Sequence, residues 1–199
     1  MTDKDSRIPE LSDIPSIALL REELAREEAL HSIRKKFWNI VVILIVAAAV
    51  TAVISTRLLV LVRINGNSMD PTLKDEEVVF LRQTKEIETG DVIGFYYGGK
   101  ILLKRVIGVA GDQIEIDKEG KVSVNGRIIE EPYLSETNLG KCDIEFPYKV
   151  PQEMFFVLGD NRAVSIDSRT RTIGCVELDQ VVGKVVLRAW PLGRMEMMR

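Results

Sequence analysis

The chain has 199 residues, of which 46% are hydrophobic and 29% are charged, and its formal net charge is -3. This length fits one domain, or one domain with an anchor, and the composition is that of a folded protein. Two cysteines exclude a disulfide-rich scaffold and a multi-cysteine zinc site, and the acidic balance argues against a nucleic-acid-binding domain. The single histidine, His31, excludes a multi-histidine metal site, and any catalytic pair that needs histidine must use this residue.

The first 36 residues are rich in charge and have a helical pattern. Over residues 16–36, apolar side chains recur at helical spacing and glutamates occupy the opposite face. We expect residues 1–36 to be a cytoplasmic segment that contains a solvated amphipathic helix. Packing on the membrane surface or on a partner helix is an alternative that the glutamates disfavour. His31 lies in this segment.

Residues 37–56 form an apolar run without a charged residue, and this run predicts a transmembrane anchor. A helix of this length extends about 30 Å, which is the thickness of a bilayer core. The alternatives are a buried helix of a soluble protein and a signal peptide cleaved near Ala47-Ala48-Ala49. Because the run continues to Ile54 and a long charged segment precedes it, we expect an uncleaved anchor.

Basic residues flank this run on both sides. Arg34, Lys35 and Lys36 precede it, and Arg57 and Arg63 follow it. Positive charge at the ends of a span favours the cytoplasmic side. The small bias predicts a single-pass protein of the cell membrane, with a cytoplasmic N-terminus and residues 57–199 on the extracytoplasmic face. The histidine would then lie across the membrane from the C-terminal domain.

Residues 57–199 change to short runs of β-branched and aromatic residues separated by turns. The predicted strands are 59–64, 78–81, 92–97, 101–109, 154–158 and 181–190. Gly98-Gly99 and Asn125-Gly126 are hairpin-turn signals. We expect a mainly β fold, a sheet coiled into a barrel or sandwich, with a core at 57–110 and 151–199. Residues 111–150 hold turns and prolines and are predicted to be an inserted small β subdomain.

A hydrolase without histidine can use a serine activated by a neutral lysine. Burial lowers the pKa of a lysine, so the candidate should lie within an apolar strand. Lys104 lies between Leu102 and Val106 on one face of a predicted strand, and Ser68 lies in a tight turn before Pro71. Taken separately, each residue fits an ordinary surface position better than a catalytic one: a lysine with its amine in water, or a serine facing solvent.

A third stretch, residues 157–169, places Gly159-Asp160-Asn161-Arg162 and the residues from Ser165 to Arg169 behind a strand. Together with residues 66–72, residues 104–108, Gly111-Asp112 and Asn125-Gly126, in this order, the chain resembles the bacterial type I signal peptidases. The resemblance covers roughly residues 57–192 and includes an anchor of the expected kind. Each motif alone has little specificity, whereas the ordered set behind an apolar span is highly specific.

The resemblance implies a membrane-anchored serine endopeptidase that removes signal peptides from exported preproteins after small residues, of the Ala-X-Ala type. It implies that Ser68 is the nucleophile, that Lys104 is the general base and that Ser165 orients the lysine by a hydrogen bond. No metal and no cofactor are implied. The implied partners are signal peptides of secreted preproteins and membrane lipid, without nucleic acid, and the resemblance leaves room for contact with the secretion translocase.

The resemblance also assigns supporting roles. Two ion pairs brace the site, Arg105 with Asp160 and Asp167 with Arg169. The oxyanion hole comes from the Ser68 backbone and the Gly66 region; some relatives place a serine hydroxyl where this chain has Gly66, so its hole relies more on backbone or on another donor. The shallow substrate pockets are implied to be lined by Ile64, Met69, Leu73, Leu102 and Leu103.

Two features depart from the family pattern or stay open. Ala163 and Val164 stand where polar residues are common, which removes side-chain hydrogen bonds from that loop. Cys142 and Cys175 could form one disulfide outside the membrane or remain two thiols, because spacing alone does not place them within bonding distance.

Two other functions compete with this interpretation. One is a different serine–lysine protease on a similar core, such as a self-cleaving repressor, which the apolar span and residues 159–169 disfavour. The other is an inactive membrane-anchored binding module, which the joint presence of Ser68, Lys104 and Ser165 disfavours. A single N-terminal anchor is similar to the simpler Gram-positive form of the family.

Overall fold

The computed structural model describes residues 17–198, and the predictions for residues 1–16 lie outside the described residues. The first element is one uninterrupted helix, α1, Ile17–Leu58. Its sequence contains neither glycine nor proline, so nothing in it breaks the backbone hydrogen-bond ladder. The amphipathic segment and the apolar run, predicted separately, therefore belong to the same helix.

Within α1, Ile33–Val53 is a stretch of 21 residues that is long and apolar enough to cross a membrane. It would extend about 32 Å. None of its most apolar window is buried within the chain, so α1 is not the core helix of a folded soluble domain. This exposed apolar helix suggests membrane anchoring.

The chain divides into two compact units, residues 1–54 and residues 55–199. The second unit contains all of the strands in the described part of the chain. They are β1 Leu59–Arg63, β2 Val78–Arg82, β3 Val92–Tyr97, β4 Lys100–Gly108, β5 Gln113–Ile116, β6 Val122–Val124, β7 Arg127–Ile128, β8 Tyr148–Lys149, β9 Met154–Leu158, β10 Val176–Glu177, β11 Val181–Trp190 and β12 Glu196–Met197.

The larger sheet has eight strands in the order β1-β2-β11-β3-β4-β9-β10, and β12 pairs with β11. All of its strand pairs are antiparallel. The register shifts where β11 meets β2 and β3, and such bulges increase the twist and curvature of a sheet. The mainly β fold behind an N-terminal helix is confirmed, and each predicted strand corresponds to an observed one.

A smaller four-stranded sheet, in the order β7-β6-β5-β8, lies within residues 113–149. Its apolar residues share a core with the larger sheet, where Ile114 and Val122 pack in one cluster with Ile107 and Phe156. A second cluster contains Met69 and lies under the turn that follows β1. The small sheet therefore rests against strands β4 and β9. The exact domain boundaries remain a prediction.

Candidate active site

Ser68 lies in the turn that follows β1, called here the serine turn, residues 64–73. The turn is closed by a hydrogen bond from the Leu73 N–H to the Met69 carbonyl, at 2.9 Å. Met69 and Leu73 are buried in the core beneath it. Gly66 has φ of 99°, a conformation that favours glycine and lets the chain turn sharply. These features leave Ser68 half-buried at the surface of the turn.

Lys104 lies on β4 opposite Ile93 of β3, and only 3% of it is exposed. Its Nζ lies 2.8 Å from the Ser68 Oγ and donates a second hydrogen bond to the Leu103 carbonyl at 3.0 Å. The sequence placed these two residues 36 positions apart, and the fold brings their reactive atoms into hydrogen-bond contact. The predicted edge-strand alternative, with the amine in water, does not hold because Lys104 is buried.

Burial lowers the pKa of Lys104 from its ordinary value of 10.5 to about 8. Taking the ammonium out of water is the main cause. The carboxylates of Asp167 and Asp160 act in the opposite direction, and the Arg169 guanidinium adds to the lowering. When Lys104 is neutral, the 2.8 Å contact can reverse its polarity, so that the Ser68 hydroxyl donates to the amine lone pair. This arrangement lets the lysine act as a base.

Residues 159–169, called here the catalytic loop, pack against the serine turn. The Asn161 N–H donates to the Ser68 carbonyl at 3.0 Å. Gly159 permits this approach, because a Cβ atom there would lie 2.5 Å from the Ser68 carbonyl oxygen and 2.2 Å from the Ser165 Oγ. The absence of a side chain at Gly159 therefore brings the two serines together.

Ser165 is 1% exposed, and its hydroxyl has no hydrogen-bond partner among the described residues. The predicted hydrogen bond from Ser165 to Lys104 is thus not formed in this structure. The Lys104 amine bonds instead to Ser68 and to the Leu103 carbonyl. Ser165 lies next to Gly159, and its orienting role stays a prediction.

The four predicted supporting residues lie in two buried ion pairs. Arg105 donates to Asp160 at 2.9 and 2.6 Å, and Arg169 donates to Asp167 at 2.8 Å through each of two nitrogens. Bidentate pairing of this kind fixes both orientation and distance. Asp160 also accepts a hydrogen bond from Thr72 of the serine turn, at 2.5 Å. The first pair thereby links the lysine strand, the catalytic loop and the serine turn.

The N–H of Gly66 itself is not a free oxyanion donor. The Gly66 N–H donates to the Asp75 carboxylate at 2.7 Å, so it is occupied. The Ser68 N–H, in contrast, has no hydrogen-bond partner in the described part of the chain. The positive φ of Gly66 shapes the turn, and an oxyanion role for the Gly66 region stays a prediction. The Ser68 backbone remains the candidate donor.

An open cleft of about 740 Å³ contains both Ser68 and Lys104. One wall comes from β1 and the residues after it, and the other from β4 and its preceding turn. It is lined by Leu61, Val62, Arg63, Ile64, Asn65, Ser68, Met69, Tyr96, Gly99, Lys100, Ile101, Leu102, Leu103 and Lys104. Four of the five predicted pocket residues are in this set. Leu73 is the exception, because the closed serine turn directs it into the core, where it is 0% exposed.

Two contacting residues of the site were not found from the sequence. Glu131 pairs with Arg162, and the Tyr133 ring lies against Arg105. Their only sequence signal is an acidic residue and an aromatic residue on either side of Pro132 in a polar stretch, which does not indicate what they contact. Both contacts join residues that are distant in the sequence, so the folded structure shows them and the sequence spacing does not.

Cys142 and Cys175 are free thiols in the structure. Burial raises the pKa of the Cys175 thiol, which disfavours its reactive thiolate form. Among residues 17–198, no group of three histidine, cysteine, aspartate or glutamate residues is placed to hold a metal ion.

A serine hydroxyl in contact with a buried lysine amine, at the floor of an open cleft, defines a serine peptidase that uses a lysine base. The model of the family described as "Signal peptidase, peptidase S26" matches residues 37–190. Signal peptidase IB of Staphylococcus aureus is 35% identical over 178 residues, covering 79% of this chain and 92% of that protein. Signal peptidase I U of Bacillus subtilis is 34% identical over 177 residues, covering 81% and 92%.

A crystal structure of a signal peptidase I from Enterococcus faecalis is 30% identical, with a TM-score of 0.44, and covers 51% of this chain and 98% of that one. The family match and the two relatives show that the chain belongs to the signal peptidases of peptidase family S26. It is a serine endopeptidase, as the sequence predicted.

Proposed function

We propose that the chain removes signal peptides from exported preproteins by cleaving after small residues, with Ser68 as nucleophile and Lys104 as general base. The observation that carries the proposal is the 2.8 Å contact between the Ser68 Oγ and the buried Lys104 Nζ. It combines the two requirements of this chemistry, a base within reach of the hydroxyl proton and an amine that burial keeps partly neutral near pH 8.

In the first half of the reaction, the Ser68 Oγ attacks the carbonyl carbon of the scissile peptide bond while its proton moves to the Lys104 Nζ. The resulting oxyanion accepts a hydrogen bond from the Ser68 N–H. When the intermediate collapses, the C–N bond breaks and the leaving amine takes the proton from Lys104. The signal peptide is now esterified to Ser68, and the mature protein has a free N-terminus.

In the second half, a water molecule gives a proton to neutral Lys104 and attacks the ester carbonyl. Collapse of this intermediate breaks the bond to the Ser68 Oγ, which recovers its proton from Lys104. The signal peptide leaves with a carboxylate, and the dyad returns to its starting state. No step passes through a metal ion or a cofactor.

The shape of the cleft supports an extended peptide with small side chains as the substrate. An extended peptide fits between residues 61–65 and residues 101–104, where backbone groups on either wall can pair with it as an added strand. Ile64, Met69 and Leu103 are nearly buried at the cleft surface, so only shallow apolar depressions remain beside Ser68. Alanine fits such depressions, and larger side chains would collide with the floor.

We infer positioning roles for the groups around the dyad. The Arg105–Asp160 pair joins β4 to the catalytic loop, and Asp160 bonds to Thr72 of the serine turn. The Asp167–Arg169 pair braces the catalytic loop internally. Ser165 packs against Gly159 beside the Ser68 carbonyl, and its hydroxyl has no hydrogen-bond partner among the described residues. We propose that this hydroxyl bonds to Lys104 during the reaction. None of these residues lines the cleft that holds the dyad, so they act on its position and not on the substrate.

For topology, we propose that the helix spans the cell membrane once, with residues 1–36 in the cytoplasm and residues 57–199 on the extracytoplasmic face. The basic residues Arg34, Lys35 and Lys36 before the span support this orientation. Lipid would surround the exposed apolar helix, and the secretion translocase is a further proposed contact. This location would present the cleft to preproteins as they leave the membrane.

The test is cleavage of a preprotein with an Ala-X-Ala site by the full chain in detergent. Ser68→Ala and Lys104→Ala should each abolish cleavage, whereas Ser123→Ala, a serine of β6 in the small sheet, should retain it. Circular dichroism should show the same fold in all variants. Full activity of Ser68→Ala or Lys104→Ala in folded protein would overturn the mechanism, and a wild-type chain that cleaves no preprotein would overturn the proposed function.

A further inference from the structure

Two buried arginines next to the dyad are contacted by the same short segment of the chain between β7 and β8. Arg105 follows Lys104 on β4, and Arg162 lies in the catalytic loop. Arg105 bonds to Asp160, and Arg162 bonds to the Gly159 carbonyl. Arg105 also contacts the Tyr133 ring, and Arg162 also pairs with Glu131. We propose that Glu131 and Tyr133, called here the clamp, are positioning residues. They hold β4 and the catalytic loop in a fixed position relative to each other. The inference rests on the proposed function.

The first contact of the clamp is an ion pair. The Arg162 guanidinium donates to the Glu131 carboxylate at 2.5 and 3.3 Å, and the two side chains are 1% and 6% exposed. Arg162 also donates from its Nε to the Gly159 carbonyl at 3.0 Å. Gly159 is the residue against which the two serines pack. Glu131 therefore fixes the arginine that holds the backbone of the catalytic loop.

The second contact covers the other arginine. The Arg105 Cζ lies 3.9 Å from the centre of the Tyr133 ring. The N–H groups in the guanidinium plane bond to Asp160 and to the Gly90 carbonyl. The Tyr133 ring covers one of the two faces of the guanidinium. A cation over an aromatic ring is attracted by the electrons of the ring face, most strongly where water is excluded. Tyr133 thus completes the burial of the residue next to Lys104.

The two members of the clamp also hold each other. The Tyr133 hydroxyl donates to the Glu131 carboxylate at 2.7 Å, and burial together with this bond raises the pKa of Tyr133. One carboxylate thereby joins the tyrosine on Arg105 to Arg162. The serine turn is tied to the same set, since Asn161 bonds to the Ser68 carbonyl and Thr72 bonds to Asp160.

The segment after β7 therefore has a role in catalysis, which is to position the catalytic loop against β4. Neither Glu131 nor Tyr133 lines the cleft that holds the dyad, so neither contacts the bound peptide there. Loss of the clamp should free the catalytic loop relative to β4 and lengthen the contact between the Ser68 Oγ and the Lys104 Nζ. Turnover should then fall while substrate binding is preserved.

The test compares Tyr133→Leu with Tyr148→Leu in the full chain in detergent. Tyr148 is a matched control, because it lies on β8 of the same region and packs on Phe156, with a ring separation of 5.7 Å, without contacting either arginine. We expect Tyr133→Leu to lower kcat about tenfold and change KM less than about twofold. Tyr148→Leu should lower thermal stability and leave kcat near that of the wild type.

Conservative variants separate positioning from general destabilisation. Tyr133→Phe keeps the ring on Arg105 and should recover most of the turnover lost in Tyr133→Leu. Glu131→Gln keeps the shape of the side chain but removes the charge that faces Arg162, and it should lower kcat with KM preserved. Equal losses of kcat in Tyr133→Leu and Tyr148→Leu, or unchanged kcat in both Tyr133→Leu and Glu131→Gln, would overturn the clamp.

Hydrogen exchange decides the inference independently of peptide cleavage. The N–H groups of Asn161 and Ser165 donate to the Ser68 and Asn161 carbonyls at 3.0 Å each. In Tyr133→Leu, these amides should exchange about tenfold faster than in the wild type, and in Tyr148→Leu they should not. Unchanged exchange in Tyr133→Leu would refute the clamp even if the wild type cleaves preproteins. Faster exchange confined to Tyr133→Leu would support it even if the proposed substrate is wrong.

Discussion

At the scale of single residues, Lys104 shows how a fold converts an ordinary side chain into a base. Its amine is mostly neutral only above its pKa, which burial lowers to about 8. Near pH 7, about a tenth of the molecules would therefore carry the neutral form. The rate at limiting substrate should rise with pH and level off above pH 8. A pH–rate profile measures this, and an acidic limb centred near pH 10 would contradict the role of burial.

The same burial has a cost in stability. Because the folded pKa of Lys104 lies below the unfolded value, the unfolded chain binds more protons between pH 8 and pH 10.5, and stability rises with pH across that window. Below pH 8 the full penalty remains. We expect Lys104→Met to stabilise the protein at pH 7, by up to about 3 kcal/mol, while abolishing cleavage. Thermal unfolding at pH 7 and pH 10 provides the measurement, and a lower melting temperature for the variant at pH 7 would contradict it.

Gly159 makes a prediction about close packing. A Cβ atom there would overlap the Ser68 carbonyl oxygen and the Ser165 hydroxyl, so Gly159→Ala must displace the catalytic loop. We expect a loss of activity of at least about tenfold and a lower melting temperature. Gly193→Ala is the matched control, since its added Cβ meets open space. Comparable activity in the two variants would show that the approach of the loop is not required.

At the scale of elements, the cleft lies between two stretches of extended chain, residues 61–65 and residues 101–104. A peptide strand placed between them would present successive N–H groups to opposite walls. Methylation of either of two adjacent backbone nitrogens, upstream of the cleaved bond, should therefore raise KM. Kinetics with the two singly methylated peptides test this. If only one of them binds more weakly, pairing occurs on one wall alone.

The strands could be predicted from the sequence because β-branched and aromatic runs between turn signals are a local property. The apolar neighbours of Lys104 in β4 made it only a candidate, and the resemblance of the ordered motifs gave it the role of base. The clamp could not be found, because Glu131 meets Arg162 only when the segment after β7 folds back onto the catalytic loop. Leu73 was expected in the pocket from the resemblance alone, and the sequence does not show that the closed turn directs this side chain into the core.

At the scale of the whole molecule, the proposed topology makes a prediction about which residues a reagent outside the cell can reach. In a variant without its native cysteines, Ile128→Cys provides a thiol at a residue that is 74% exposed on the small sheet. An impermeant thiol reagent should label it in intact cells, whereas Ser6→Cys should be labelled only after lysis. The reverse pattern would place the β unit in the cytoplasm and contradict the proposed orientation.

The ion pairs around the dyad have a collective consequence. Arg105, Arg162 and Arg169 are matched by Asp160, Glu131 and Asp167, so this set is electroneutral when Lys104 is unprotonated. Proton uptake by the lysine places one uncompensated positive charge in a site from which water is largely excluded. The negative oxygen that forms on the substrate at the same step restores the balance. The reactive form with a neutral lysine is thus matched to a reaction that separates one pair of charges and then recombines it.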